Sequence, residues 1–128
     1  MIRQDYLIRM IQQVISAIVE AILHRKPIRK QEWEEYDGIA RQIFGFSTEE
    51  LKTADIHELI ARFDGQDRAD KIELAAVILL KIADDTENDP VMKAKFRQDG
   101  VELLEYVQQH GRTYSLQREM LIAMLKKF

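Results

Sequence analysis

Leu74-Ala75-Ala76-Val77-Ile78-Leu79-Leu80 is an unbroken run of seven apolar residues, set in a stretch, Asp67 to Asp85, that contains neither proline nor glycine. Read as a helix, this run has no polar side over nearly two turns. Such a helix must be enclosed by neighbours. The rest of the chain is expected to supply them, and it reads as helix on both sides. No stretch alternates apolar and polar residues long enough to make a convincing strand. The expected fold is an all-α bundle of about six helices, one domain spanning residues 1–128, with short connections that set sequential helices antiparallel.

On the N-terminal side, a first helix is predicted from about Asp5 to His24. Leu7, Ile8, Met10, Ile11, Val14, Ile15, Ala17, Ile18, Ala21 and Ile22 fill about half of its circumference. Arg9, Gln12, Gln13, Ser16 and Glu20 form the opposite stripe. The apolar arc is wider than a surface helix needs. Either the helix lies centrally in the bundle or it shows a second face to a partner. Pro27 ends it. A second helix, about Lys30 to Phe44, places Trp33, Tyr36, Ile39, Ala40 and Ile43 inward, with Trp33 and Tyr36 expected against the first helix, and Gly45 suits its left-handed cap. Ser47-Thr48-Glu49-Glu50 matches a capping box and opens a short turn of helix. A third helix follows from about Ala54 to Phe63, broken by Asp64-Gly65.

On the C-terminal side, Asp89-Pro90 opens a fifth helix with the residue types favoured at the cap and the first helical position. It runs to about Gln109 and buries Phe96, Val101, Leu103, Leu104 and Val107. Gly100 inside it costs about 1 kcal/mol relative to alanine; close approach of another helix explains it, and so does a kink. Ser115 caps a sixth helix, in which Leu116, Met120, Leu121, Met124 and Phe128 share a face.

Composition narrows the function classes. The chain has 128 residues, 46% hydrophobic and 32% charged, with net charge −3. That is enough apolar matter for a core without a disulfide or metal staple, and no large basic field is present to hold nucleic acid. The densest basic run, Arg25-Lys26-Pro27-Ile28-Arg29-Lys30, is followed at once by Glu32, Glu34, Glu35 and Asp37, and reads as a solvated linker. The chain has no cysteine, which fits a reducing cytoplasm and removes thiolate chemistry. Met10–Leu23 is interrupted by Gln12, Gln13, Ser16 and Glu20, and reads as too short and too polar for a membrane span.

No catalytic apparatus is legible. His24, His57 and His110 have no metal-ligand spacing. Asp84 to Asp89 fails the geometry of a calcium loop, because the sixth and twelfth positions counted from Asp85 are Pro90 and Phe96. Ser47, Thr53 and Ser115 sit where helix caps are needed. Glu34-Glu35 and Glu49-Glu50 lack a hydrophobic setting that would separate their pKa values. The chain is therefore expected to be no enzyme and to carry no cofactor or metal.

The segment Gln4-Asp5-Tyr6-Leu7-Ile8-Arg9-Met10-Ile11 resembles the opening of a family of small bacterial all-helical proteins that is defined as a domain of unknown function. The resemblance implies a long apolar N-terminal helix, an acidic middle and a helical hairpin ending in a capped helix, here Leu74 to Phe128 with Tyr114-Ser115-Leu116-Gln117-Arg118-Glu119. It implies no activity and no site residues. The helices between Asp67 and Gln109 also look like a tetratricopeptide-type hairpin, in architecture alone.

The leading functional expectation is a non-catalytic interaction protein whose partner is another protein, a second copy of the chain included. Its expected surface is Leu7, Ile8, Ile11, Val14, Ile15, Ile18 and Ile22. The alternatives are peripheral membrane attachment through the same helix, and small-ligand binding in a pocket between helices.

Overall fold

A computed structural model of the chain describes residues 4–111 and 115–126. Seven helices form among them, with no strand: α1 (Gln4–Leu23), α2 (Lys30–Phe44), α3 (Thr48–Leu51), α4 (Ile56–Arg62), α5 (Arg68–Asp85), α6 (Pro90–His110) and α7 (Leu116–Lys126). The all-α bundle expected from the sequence is the architecture found.

Local chemistry sets the ends. The Asp89 carboxylate accepts from the Met92 N–H at 3.1 Å, with Pro90 at the first helical position. Gly45 closes α2 at φ 81°, its N–H donating to Arg41 O at 2.8 Å. Ser115 Oγ accepts from the Arg118 N–H at 3.2 Å and starts α7. The capping box at Ser47 does not form, because Ser47 makes no side-chain cap. Thr48 instead donates its hydroxyl to Asp37 and ties α3 to α2. Asp55 caps α4, accepting from the N–H groups of His57 and Glu58, so that helix begins after Asp55 rather than at Ala54.

The seven residues Leu74–Leu80 are all buried, and burial continues through Lys81 and Ala83. Each large side chain enclosed in this way contributes about 1.5–3 kcal/mol. The tightest packing is between α5 and α6, an antiparallel hairpin in which Arg68 reaches Tyr106 at one end and Ala76 and Leu80 meet Gly100 further along. α1 runs in the same direction as α5. Gln12 lies against Asp70 near their starts, and Ile22 shares a groove with Leu80 and Asp84 at their ends. α7 is antiparallel to α6, with Arg118 against Gln108 and Arg97 against the Leu125 carbonyl. The excursion through α2, α3 and α4 returns the chain to its starting end, which is why α1 and α5 are parallel despite short connections. Phe44, Phe46 and Phe63 stack with centroids 5.3–6.5 Å apart and hold that excursion together.

Three expectations about faces are corrected. Leu116 and Met120 are 60% and 52% exposed, because the inward stripe of α7 is Arg118, Leu121, Ile122 and Leu125. An arginine heads that stripe, so hydrophobicity alone points to the wrong side. Phe128 lies outside the described residues. Trp33 and Tyr36 are half-buried rather than enclosed, since α2 packs over α3 and α5 as an outer layer. Val101 is likewise half-buried.

Gly100 marks a close approach. A Cβ there would meet Leu80 Cγ at 2.7 Å and the Ala76 carbonyl oxygen at 3.1 Å. Gly38, on exposed α2, has nothing within 4 Å of the same position. The two alanine variants should therefore differ in sign. Gly38→Ala is expected to stabilise by about 0.5–1 kcal/mol through helix propensity. Gly100→Ala is expected to destabilise by about 1–2 kcal/mol, overpacking exceeding that gain. Urea denaturation of both variants checks the pair.

Candidate ligand-binding groove

The end of α1 is shaped by a cationic turn. Arg25 adopts φ 53°, the left-handed region that costs a residue with a Cβ about 1–2 kcal/mol. The Lys26 N–H then donates to Ala21 O at 2.9 Å, and Pro27 prevents the helix from continuing. Arg25 and Lys26 are thereby held at the end of the bundle where α5 finishes and α6 begins.

They line a groove of about 490 Å³ with Ile22, Pro27, Leu80 and Ala83 below them and Met124 and Leu125 from α7. The volume lies within the range usual for small-molecule sites, about 300–1,000 Å³. Among the described residues, Lys81, Lys93 and Arg97 bring the cationic residues on its wall to five, against two carboxylates, Asp84 and Asp85. Lys81 is buried to its head and holds both acids, at 3.5 and 3.3 Å. Arg97 donates to the Leu125 carbonyl at 3.3 Å, at the last turn of α7. Among the described residues, Arg25, Lys26 and Lys93 have no acidic group within ion-pair distance. A chain of net charge −3 thus concentrates positive charge over an apolar floor.

Two other concavities hold polar groups already engaged by the fold. Between α4 and α6, His57 and Ile60 face Tyr106, but the Tyr106 hydroxyl accepts from Arg68 and its ring stacks on His110. Beside α3 and α4, Arg62 covers Phe46, and Asp55 is spent as a cap. His24 pairs with Glu20 at 3.2 Å, and no group of three His, Asp or Glu residues converges as a metal site among the described residues.

Of the seven residues expected to form a docking surface, Ile22 reaches the groove and the other six are not among its lining. Ile11, Val14, Ile15, Ile18 and Ile22 are buried within the chain, while Leu7 and Ile8 are half-buried. α1 meets both α5 and α7, so two neighbours consume its wide arc. Five of the seven residues expected to form a docking surface are thus covered within the chain, while Leu7 and Ile8 keep part of their surface outward. The longer segment Tyr6–Leu23, at mean hydropathy 1.5, is long and apolar enough by length and composition to cross a membrane, while in this fold its buried stripe belongs to the bundle.

Of the residues that line the groove, the sequence singled out Arg25, Lys26, Asp84 and Asp85 as parts of two solvated connections, Ile22 as part of a docking surface, Pro27 as a helix stop, and Leu80 and Met124 as apolar helix faces. Lys93 and Arg97 were missed. Their spacing of four places them on one face of α6, a signal that shows its meaning only once α7 is beside it.

At the opposite end of α5 the polar groups are matched. Arg118, 4% exposed, holds Glu73 at 3.1 Å and donates through Nε to Gln108 at 2.6 Å, while Gln12 donates to Asp70 at 3.5 Å. Burial raises the Glu73 carboxyl above the usual range, and Arg118 opposes this only in part. Asp70 is raised too, by burial first, with the Gln12 hydrogen bond opposing. The folded chain therefore binds these protons more tightly than the unfolded one. Their stabilising contribution is complete below the ordinary carboxylate range and is lost as pH rises through the raised values. Relative to a D70N/E73Q variant, the wild type should gain stability on going from pH 7 to pH 5, measured by urea midpoints. Replacing Arg118 by Met alone should cost about 3 kcal/mol, whereas combining it with Glu73→Leu should recover most of the loss.

Comparisons of the chain with protein-family models, with curated proteins and with solved structures find no match, so the functional reading rests on the groove's own geometry.

Proposed function

We propose that this chain is a non-catalytic, small-ligand-binding helical domain that holds an anion in the groove between the ends of α1, α5, α6 and α7. The observation that carries this reading is the excess of cations over a preformed concavity: Arg25, Lys26 and Lys93 converge there without acidic partners among the described residues. Like charges gathered in this way repel one another, and an anion relieves that repulsion. The backbone supports the reading. Glycine would suit the left-handed position at residue 25 without strain, yet an arginine occupies it.

Self-association stands as the second reading, with a different surface from the one expected. Leu116 and Met120 lie one turn apart on the outer side of α7, both more than half exposed. Sedimentation across a concentration series tests it, and a strict monomer throughout removes it.

The anion reading predicts a separation of stability from binding. Arg25→Gly should leave stability unchanged or raise it by up to about 1 kcal/mol, by relieving the backbone, while weakening the binding of inorganic phosphate. Lys93→Glu should weaken that binding about tenfold. Arg9→Glu, the same change of charge on the exposed side of α1, should leave it alone. Nuclear magnetic resonance titration with phosphate at low salt reads all three. Equal affinity in the three variants, or no phosphate binding by the wild type, ends the proposal.

A further inference from the structure

The floor of the groove is as informative as its rim. Ile22 and Leu80 form it with Met124 and Leu125, the last two half-buried and open to a ligand. A bare inorganic anion leaves this apolar surface wet, and an uncharged apolar molecule leaves Arg25, Lys26 and Lys93 facing one another. A ligand that satisfies both carries a compact anionic head and an apolar tail. Three cations free of acidic partners among the described residues favour a head of more than one charge. A phosphate monoester carries about −1.5 to −2 at neutral pH. The guanidinium fork of Arg25 is suited to phosphate oxygens. Met124, unbranched and polarisable, is the kind of side chain that adapts to an alkyl tail.

Resting on the anion-binding reading above, we infer that the groove takes an amphiphile ending in a phosphate monoester, its head at Arg25, Lys26 and Lys93 and an apolar tail along Leu80, Met124 and Leu125. The same chemistry is offered by a free phosphorylated amphiphile and by a lipid headgroup at a membrane surface.

Titration calorimetry with a series of alkyl phosphates, below their micelle-forming concentrations, tests the assignment. Each methylene laid on the floor is expected to strengthen binding about threefold to fourfold. Octyl phosphate should therefore bind at least about tenfold tighter than butyl phosphate, and butyl tighter than inorganic phosphate. Met124→Gln should flatten this dependence. Lys93→Glu should weaken every member of the series. Flotation with vesicles containing phosphatidic acid, against vesicles of phosphatidylcholine alone, distinguishes the sources: flotation specific to phosphatidic acid assigns the head to a membrane lipid, and calorimetric binding without flotation assigns it to a free amphiphile. Chain-length dependence in the wild type decides even where a variant fails to fold. Equal affinity for octyl and inorganic phosphate overturns this inference and leaves the anion reading standing. Octyl phosphate binding that ignores Lys93→Glu overturns it by placing the ligand elsewhere, and absence of binding by any phosphate overturns both.

Discussion

A helix without a polar side has to be surrounded, and α5 imposes that condition on every other element. Its run from Leu74 to Leu80 turns apolar surface in all directions, so no single partner face covers it. α6 folds back along one side, α1 lies along another, α2 and α3 cover part of the remainder, and α7 joins α6 to α1. The wide arc of α1 follows from the same condition. A helix at the corner of a bundle touches two neighbours and needs a broader apolar stripe than one lying on a flat layer. Much of the hydrophobic surface of the N-terminal segment is therefore spent on bundle geometry, with Leu7 and Ile8 left half-buried. Gly100 belongs to the same account, since it lets the α6 backbone approach Leu80 where a methyl group would hold the helices apart.

What was legible in the sequence is what depends on neighbours in the chain. Asp89-Pro90, Gly45 and Ser115 act within a turn of themselves, and their roles as caps follow from side-chain and backbone chemistry alone. Ser47 shows the limit of that rule. Its capping box has the right letters, but tertiary contact between Thr48 and Asp37 sets the geometry of the turn instead. Arg118 shows a second limit. A pattern of apolar residues assigns an arginine to solvent, and the presence of Glu73, 45 positions earlier, together with Gln108 makes the interior a tolerable place for its charge. The groove was least legible of all. Its cations come from the end of α1, the end of α5 and the first half of α6, and no local pattern links them.

The two ends of α5 treat charge differently. At its N-terminal end the carboxyls of Asp70 and Glu73 face Gln12 and Arg118, and Gln108 satisfies the guanidinium further. Polar groups in a low-dielectric setting strengthen one another when matched and are costly when not. At the C-terminal end Lys81 is matched by Asp84 and Asp85, yet the surrounding cations outnumber what those two acids can balance. Stability alone favours the first arrangement. The second is the arrangement on which the proposed anion binding rests.

Space leads to the same place. A close-packed interior leaves few voids larger than a water molecule, and α5 fills the middle of this bundle along most of its length. Room for a ligand opens where the core runs out, at a helix terminus, and there the chain also exposes its backbone ends and its charges. The turn after α1 brings these together. Arg25 accepts an unfavourable backbone conformation that glycine would relieve, Pro27 directs the chain away, and the freed volume is floored by Leu80, Met124 and Leu125. Backbone strain held at the rim of a groove, with a surplus of one sign of charge among the described residues around it, is the arrangement expected of the proposed anion site.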